Sequence, residues 1–176
     1  EKLSVLSSSL DPQERAALEP LCLLTSKPVV YIVNAGEDKF SGVRYVDQIR
    51  TRSEIEEAGL VVVNAKIEAE LSCLEDSDRA TFIREMGLKE SGLDRVIQAG
   101  YQLLGLHTFF STSSKEVRAW TIPLGTKAPQ AASKIHTDFE RGFIKAETIS
   151  CEEFLRCLGE KGAREAGCLR LEGRDY

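Results

Sequence analysis

Two short apolar runs, each followed at once by an asparagine, dominate the first half of the chain. They are residues 29–33 and 60–63, and the segment between them, 43–57, has apolar residues at helical spacing. This order predicts two parallel strands joined by a right-handed crossover helix. Both strands then end at one edge of the sheet, so we expect the loops at 34–37 and 64–66 to meet. Open α/β sheets bind ligands at such edges.

The remaining pattern before Gly105 predicts further helices. Asp11 can cap a helix whose first position is Pro12, and this helix is expected to run toward Leu24, with a break or restart at Pro20. Three later helices are predicted at Ile67–Leu74, Asp78–Met86 and Leu93–Leu104.

The pattern changes near Gly105, where β-branched and aromatic residues become frequent. Residues 107–113 and 116–122 predict a hairpin through Ser113–Lys115. A helix at 128–135, a strand at 143–149 and a helix at 151–158 follow. The sequence therefore predicts an α/β domain over residues 1–104 and a small α+β domain over residues 105–176.

Composition is that of a soluble globular protein, with 176 residues, 42% apolar and 29% charged. No apolar run approaches the roughly 20 residues that span a bilayer, so no membrane partner is predicted. The charge is uneven. Residues 1–104 carry 12 Lys and Arg against 18 Asp and Glu, whereas residues 105–176 carry 11 against 10. This asymmetry suggests two modules with different partners, and the net charge of −5 argues against nucleic-acid wrapping by the whole chain.

The five cysteines are scattered, and none forms a Cys-x-x-Cys motif. Only His107 and His136 are available to join them as metal ligands. Buried or idle thiols in a reducing cytosol are favoured over a metal or disulfide role, so we expect a cytoplasmic protein without a metal site.

The loop Asn34-Ala35-Gly36-Glu37 has the spacing of a guanine-reading motif, Asn-Lys-x-Asp, which follows a strand in nucleotide sites. There the Asp carboxylate accepts from two neighbouring donors on guanine, and the Asn ties the loop to its surroundings. Here Glu37 is one methylene longer and Ala35 replaces the lysine, which relaxes or reverses the choice of base. The alternative is a polar turn at a strand end.

The second loop, Asn64-Ala65-Lys66, has the form of a Ser-Ala-Lys loop that presents backbone N–H groups to a base. With both loops in order, a base site and a polar turn are about equally supported. The sequence contains no Gly-x-x-x-x-Gly-Lys-Ser/Thr motif to cradle phosphates. This chain alone is therefore expected not to hydrolyse a nucleotide, and no catalytic residue is nominated.

Four stretches of the sequence closely resemble the C-terminal part of the YchF-type Obg-like ATPases. The resemblance covers nearly the whole chain and is most specific from Lys115 to Ser150. The stretches are LLTSKPVVYIVNAGED, GLDRVIQAGYQLLGLHTFFS, KEVRAWTIPLGTKAPQAASKIHTDFERGFIKAETIS and GAREAGCLRLEGRDY.

The resemblance implies an α/β remnant of a P-loop NTPase domain followed by an α+β β-grasp (TGS) domain. The parent would be an ATP-preferring hydrolase of ATP or GTP that uses magnesium. Its phosphate loop, switch regions and most of a coiled-coil insertion are expected outside this sequence, with residues 3–10 as the last remnant of the insertion. A strand beyond Tyr176 is expected to close the β-grasp sheet.

Site residues follow from the same resemblance. Asn34, Ala35 and Glu37 match the base-contact motif, and Ala65 and Lys66 match its second loop. The implied function is that of part of an ATP-preferring, ribosome- or translation-associated ATPase that binds adenine nucleotide. The alternative is an RNA- or ribosome-interaction module without nucleotide binding.

A basic and aromatic segment of the second half is the candidate contact to RNA or the ribosome. Its alternative is a solvated loop with Phe139 and Phe143 in the core, which is favoured for any single residue. Lys145 is expected to be exposed on the strand at 143–149. The candidate contacts are Lys134, Arg141 and Lys145, with Lys127 and Arg118 as outer members and His136, Phe139 and Phe143 beside them.

Overall fold

Two parallel strands form the sheet of the first half in the computed structural model, which describes residues 10–36, 44–113 and 116–176. Strand β1 is Val30–Asn34 and strand β2 is Gly59–Val63. Val30 lies opposite Gly59, and Asn34 lies opposite Val63. The predicted parallel pair is therefore confirmed. The chain divides into two units, residues 1–105 and 106–176.

The described residues of the first unit also form helices. The first begins behind Asp11, whose side chain accepts hydrogen bonds from the backbone N–H groups of Gln13 and Glu14. It ends at Leu18, and two 3₁₀ turns follow. The helix therefore does not continue to Leu24, and the predicted break at Pro20 is present. The helices of this unit are α1 Pro12–Leu18, α2 Arg44–Ile55, α3 Ala65–Ser72, α4 Asp76–Glu85 and α5 Gly92–Leu103.

The core of the first unit lies where the sheet meets these helices. Helices α2 and α5 both contact the two strands. The alternation along β2 and the helical spacing along α3 explain which side chains turn inward. The buried apolar side chains are Ala35, Val46, Val61, Ile67 and Leu71.

The second unit contains two antiparallel ladders among its described residues. The predicted hairpin is present as β3 Leu106–Thr112 and β4 Val117–Pro123, although part of its turn, residues 114–115, lies outside the described residues. Strand β5 Ala146–Thr148 pairs with β6 Arg170–Glu172. The helices are α6 Ala128–Ile135, α7 Thr137–Arg141, α8 Cys151–Arg156 and α9 Glu160–Glu165.

The strand predicted at residues 143–149 is shorter than expected, because β5 begins only at Ala146. The preceding residues bond elsewhere: the Phe143 N–H donates to the Glu140 carbonyl, and the Phe143 carbonyl accepts from the Arg174 guanidinium. Phe143 is buried and Ile144 is 80% exposed. Phe143 is therefore a core residue, as the favoured alternative predicts, and its ring is not available for stacking.

The five cysteines differ in how far they are buried. Cys22, Cys73 and Cys151 are exposed free thiols, and Cys157 and Cys168 are partly buried. Burial therefore does not account for three of the five. None of the helices described here has the length and apolar character needed to cross a membrane.

Candidate nucleotide-base edge and basic surface

The loops after β1 and β2 meet at the carboxyl edge of the sheet, as the parallel topology predicts. The Ala35 N–H donates to the Val63 carbonyl at 2.8 Å, which extends the ladder one residue past the end of β1. The Asn34 Oδ1 accepts from the Ala65 N–H at 3.0 Å. The side chain of the first loop is thus tied to the backbone of the second, the role expected for the Asn of the base motif.

Asn64 caps the start of helix α3. Its Oδ1 accepts from the N–H groups of Lys66 and Ile67, each at 3.1 Å. The N–H groups of Ala65 and Lys66 therefore bond to the two asparagine oxygens in this structure. Asn64 takes the N-cap position that the first turn of a helix requires, and the match of Ala65 and Lys66 to a base-contact loop stays a prediction. A base at these N–H groups has to displace or share an asparagine oxygen.

The residues predicted from the sequence to lie at this edge differ in their exposure to solvent. Ala35 is buried at 8% exposure, whereas Asn34, Ala65 and Lys66 are exposed. Glu37 lies outside the described residues. Asn64 is only 4% exposed, and its Nδ2 has no hydrogen-bond partner among the described residues. The edge is therefore built from exposed groups around a buried asparagine.

A carboxylate missed by the sequence analysis lies in the first turn of α3 and joins this helix to α5. The Glu68 side chain accepts from the N–H groups of Gly92 and Leu93 at 2.7 and 3.1 Å. It thereby meets the positive end of helix α5, which Ser91 caps through the Asp94 N–H. The Ser91-x-x-Asp94 spacing before an apolar run was the available sequence signal for this helix start.

A three-residue network on the outside of the first unit joins β1 to α2. The Tyr31 hydroxyl donates to the Glu56 carboxylate, which also pairs with Arg52. The hydrogen bond from Tyr31, followed by that from Arg52, holds the pKa of Glu56 below its ordinary value, although desolvation acts in the opposite direction. The same contact with Glu56 raises the pKa of Tyr31. The strand is thus fastened to the end of the crossover helix.

Within residues 10–36, 44–113 and 116–176, no group of three or more His, Cys, Asp or Glu side chains is placed to hold a metal ion.

The candidate basic residues of the second unit all lie on its surface. Lys134 is in the last turn of α6, Arg141 ends α7, and Lys145 lies in the loop before β5. Helices α6 and α7 pack against each other. All three side chains are exposed, and none forms an ion pair with a described residue. Lys145 is exposed as expected, although it lies outside the strand.

The aromatic part of this surface consists of His136 and Phe139. Their ring centroids are 5.9 Å apart at 51°, and Phe139 is 52% exposed, so it is not the core residue of the alternative hypothesis. The His136 Nδ1 accepts from the Asp138 N–H at 3.2 Å and so caps α7. We refer to Lys134, His136, Phe139, Arg141 and Lys145 as the basic surface.

The two outer candidates are engaged in ion pairs. The Lys127 Nζ lies 2.6 Å from Asp175 Oδ1, and the Arg118 Nε lies 3.1 Å from Glu116 Oε2. The hydrogen bond from Lys127 lowers the pKa of the Asp175 carboxyl. These two cations are therefore partly neutralised, whereas the cations of the basic surface pair with no described residue.

Comparisons with known proteins agree with the resemblance noted in the sequence. Residues 106–176 match the family model YchF-GTPase_C, whose description is "Protein of unknown function (DUF933)". The chain is 53% identical over 167 residues to the Ribosome-binding ATPase YchF of Escherichia coli O157:H7, covering 95% of this chain and 46% of that protein. The Bacillus subtilis (strain 168) protein of the same name is 48% identical over 93% of this chain and 46% of its own length.

A solved structure shows the same relationship. The Schizosaccharomyces pombe YchF GTPase matches with a TM-score of 0.81 at 30% identity, over 98% of this chain and 47% of that chain. The chain thus spans about half the length of the relatives that it matches. Its second unit matches the YchF-GTPase_C family model, and nearly the whole chain aligns with about half the length of proteins named Ribosome-binding ATPase YchF.

Proposed function

We propose that this chain is the C-terminal portion of a YchF-type, ATP-preferring P-loop ATPase that works on ribosomes in the cytoplasm. Similarity over 95% of the chain to proteins named ribosome-binding ATPases supports this assignment. In this proposal the first unit belongs to the nucleotide domain and the second unit is a TGS domain of β-grasp type. The parent binds ATP with magnesium and hydrolyses it.

The observation that carries the nucleotide part is the bond between the two loops. The 3.0 Å contact from the Ala65 N–H to Asn34 Oδ1 fixes the first loop against the second at the ligand-binding edge of a parallel sheet. The proposed base contacts are Asn34, Ala35 and Glu37 from the first loop and Ala65 and Lys66 from the second. They bind and orient the purine, and no step of phosphate chemistry is assigned to them.

The experiment that tests this part is Glu37→Asp in the full-length parent. Shortening the arm restores the reach that suits the two donors of guanine, so we expect preference to move from ATP toward GTP. The expected shift is about 1.5–3 kcal/mol, the size of one hydrogen bond to a charged group. Competition between ATP and GTP measures it, with Glu85→Asp, an exposed glutamate of α4, as the matched control. An unchanged ratio in the Glu37 variant removes Glu37 as the discriminator.

The ribosomal part of the proposal rests on the basic surface. Exposed cations without ion-pair partners among the described residues, together with an exposed ring, are the groups that contact phosphates and stack on bases. RNA of the ribosome is therefore the proposed ligand of the second unit.

A second candidate is an interaction module that does not bind nucleotide. The occupied N–H groups of Ala65 and Lys66 favour it, because the loop offers no open backbone donor there in this structure. Equilibrium dialysis of the full-length parent with ATP, before and after Asn34→Ala, separates the two. The interaction-module candidate predicts the same retention of ATP in both proteins.

A further inference from the structure

An open groove lies on the side of the first unit formed by β2, α2 and α5. Its volume is about 640 Å³. None of the described base-contact residues lines it, so a ligand bound in this groove is independent of the proposed function. Its lining residues are Arg50, Ser53 and Glu54 of α2, Leu60, Val61 and Val62 of β2, and Arg95, Gln98, Ala99 and Gln102 of α5.

The groove runs along the outer edge of β2. Successive side chains of a strand point to opposite faces of its sheet. A space lined by three consecutive residues, Leu60 to Val62, therefore reaches both faces and passes over an edge of the strand. The other edge of β2 is paired with β1, so the groove follows the outer one.

The backbone groups that face this edge follow from the register. The Gly59 N–H donates to the Val29 carbonyl, and the Val63 carbonyl accepts from the Ala35 N–H. In a parallel ladder, alternate residues direct both groups to the same neighbour. Gly59, Val61 and Val63 thus face β1, and Leu60 and Val62 direct their N–H and C=O groups outward. No described residue pairs with these outward groups.

The side chains of the groove add positive charge. Arg95 is half-buried, and its guanidinium has no hydrogen bond or ion pair with a described residue. The Arg50 guanidinium lies 3.7 Å from Asp47, and the Gln98 amide donates to Glu90. Glu54 is the one carboxylate among the described lining residues. Arg95 is therefore the unpaired cation of the groove among the described residues, whereas Arg50 is partly neutralised by Asp47.

From this combination we infer that the groove binds an extended acidic peptide of a partner protein, which adds a strand to the outer edge of β2. The peptide backbone pairs with the N–H and C=O groups of Leu60 and Val62, as in other cases of strand addition. A carboxylate side chain of the peptide binds Arg95, with Arg50 as the second cation. The two outward-facing residues, Leu60 and Val62, can pair with about three to four residues of the peptide, at a rise of roughly 3.3 Å per residue.

Backbone-resolved hydrogen exchange of the 176-residue chain tests the inference. The ligand is acetyl-Thr-Val-Glu-Val-Thr-amide, and acetyl-Thr-Val-Lys-Val-Thr-amide is its control. In the free protein, the amides of Leu60 and Val62 exchange fast and those of Val61 and Val63 exchange slowly, because only the latter bond to β1. The acidic peptide slows exchange at Leu60 and Val62, and the lysine peptide does not. Equal protection by both peptides overturns the acidic preference, and binding without protection overturns strand addition.

The charge contribution is tested with Arg95→Gln, matched by Arg84→Gln on α4, which lies outside the groove. Arg95→Gln weakens binding of the acidic peptide about fivefold, the size of one partly exposed ion pair, and Arg84→Gln leaves it unchanged. Equal affinities in the two variants overturn the role of Arg95. Concentration-dependent protection of Leu60 and Val62 without peptide assigns the edge to a second copy of the chain. Protection in the dilute full-length parent assigns it to a segment of the parent, and either result overturns the inference.

Discussion

The base edge and the basic surface differ in how their functional groups are held. At the edge of the first unit, Asn34, Ala35 and Asn64 are fixed by hydrogen bonds of 2.8–3.1 Å to backbone atoms of neighbouring elements. On the second unit, Lys134, Arg141 and Lys145 are exposed and pair with no described residue. Hydrogen bonds fix the positions of the functional groups at the base edge, whereas the basic surface provides positive charge.

This difference predicts different responses to change. A site that depends on position loses function when one fixed atom is removed, because its neighbours cannot replace it. A surface that depends on charge loses affinity in proportion to the cations removed, and it weakens with salt. Substitutions in each region therefore test the contrast.

The largest expected effect is the absence of nucleotide turnover by the 176-residue chain. Its sequence has no phosphate-binding motif, so nothing in it positions or stabilises the γ-phosphoryl group. Phosphate release from ATP and GTP, with the full-length parent as the positive control, measures this. Steady turnover by a pure sample of the chain contradicts it.

The second effect is loss of ribosome binding when the basic surface is neutralised. Changing Lys134, Arg141 and Lys145 to Gln should weaken co-sedimentation about tenfold or more at low salt and flatten its salt dependence, because each phosphate contact releases a counterion. The melting temperature should be unchanged, since these side chains pair with no described residue.

The matched control removes the same charge elsewhere in the second unit, at Arg156, Lys161 and Arg170. It should retain ribosome binding. Unaffected binding at low salt in the first variant makes the basic surface a solvated face, and an earlier melting transition gives those residues a structural role.

The third effect is local and follows from the bond between the loops. Asn34→Ala removes the acceptor of the Ala65 N–H and should lower the free energy of unfolding by about 0.5–1.5 kcal/mol. Hydrogen exchange at Ala65 should become faster. Asn34→Asp keeps an oxygen acceptor and should retain the slow exchange. If all three proteins exchange alike at Ala65, the bond does not hold the loops together.

The smallest effect concerns acid stability. The pKa of Glu56 is lowered in the folded chain, chiefly by the Tyr31 hydroxyl, so its stabilisation is present above its unfolded pKa and is lost as pH falls through the folded value. Glu56→Gln should therefore melt slightly earlier than the unchanged chain near pH 6, and the difference should shrink below about pH 4.5, close to the ordinary pKa. Glu85→Gln on α4 is the control, and a pH-independent difference contradicts the titration.

The parallel pair could be predicted from the sequence, because the β-branched runs and their polar ends indicate where both strands lie and in which order they come. It placed the end of β1 one residue early, at Val33 instead of Asn34. The reason is that the Ala35 N–H continues the ladder to the Val63 carbonyl, a bond between residues distant in sequence.

Other elements carry no local signal of comparable strength. Helix α7 is started by the His136 imidazole instead of the usual Ser, Thr, Asp or Asn, and β6 forms only by pairing with residues 146–148. The base loops were located from their spacing, but the capture of their N–H groups by Asn34 and Asn64 depends on side-chain geometry, which spacing does not contain.

The Glu68 carboxylate has a consequence for how the first unit opens. It joins the helix that begins at the second base loop to the N–H groups of Gly92 and Leu93, and a side chain at Gly92 would collide with it, because a Cβ there would lie 2.7 Å from Glu68 Oε1. Fluctuations that fray the start of α5 release this carboxylate and so loosen α3. The loop at 64–66 and the start of α5 should therefore unfold as one cooperative segment with a shared opening rate, and the loop should not move independently on a fast timescale.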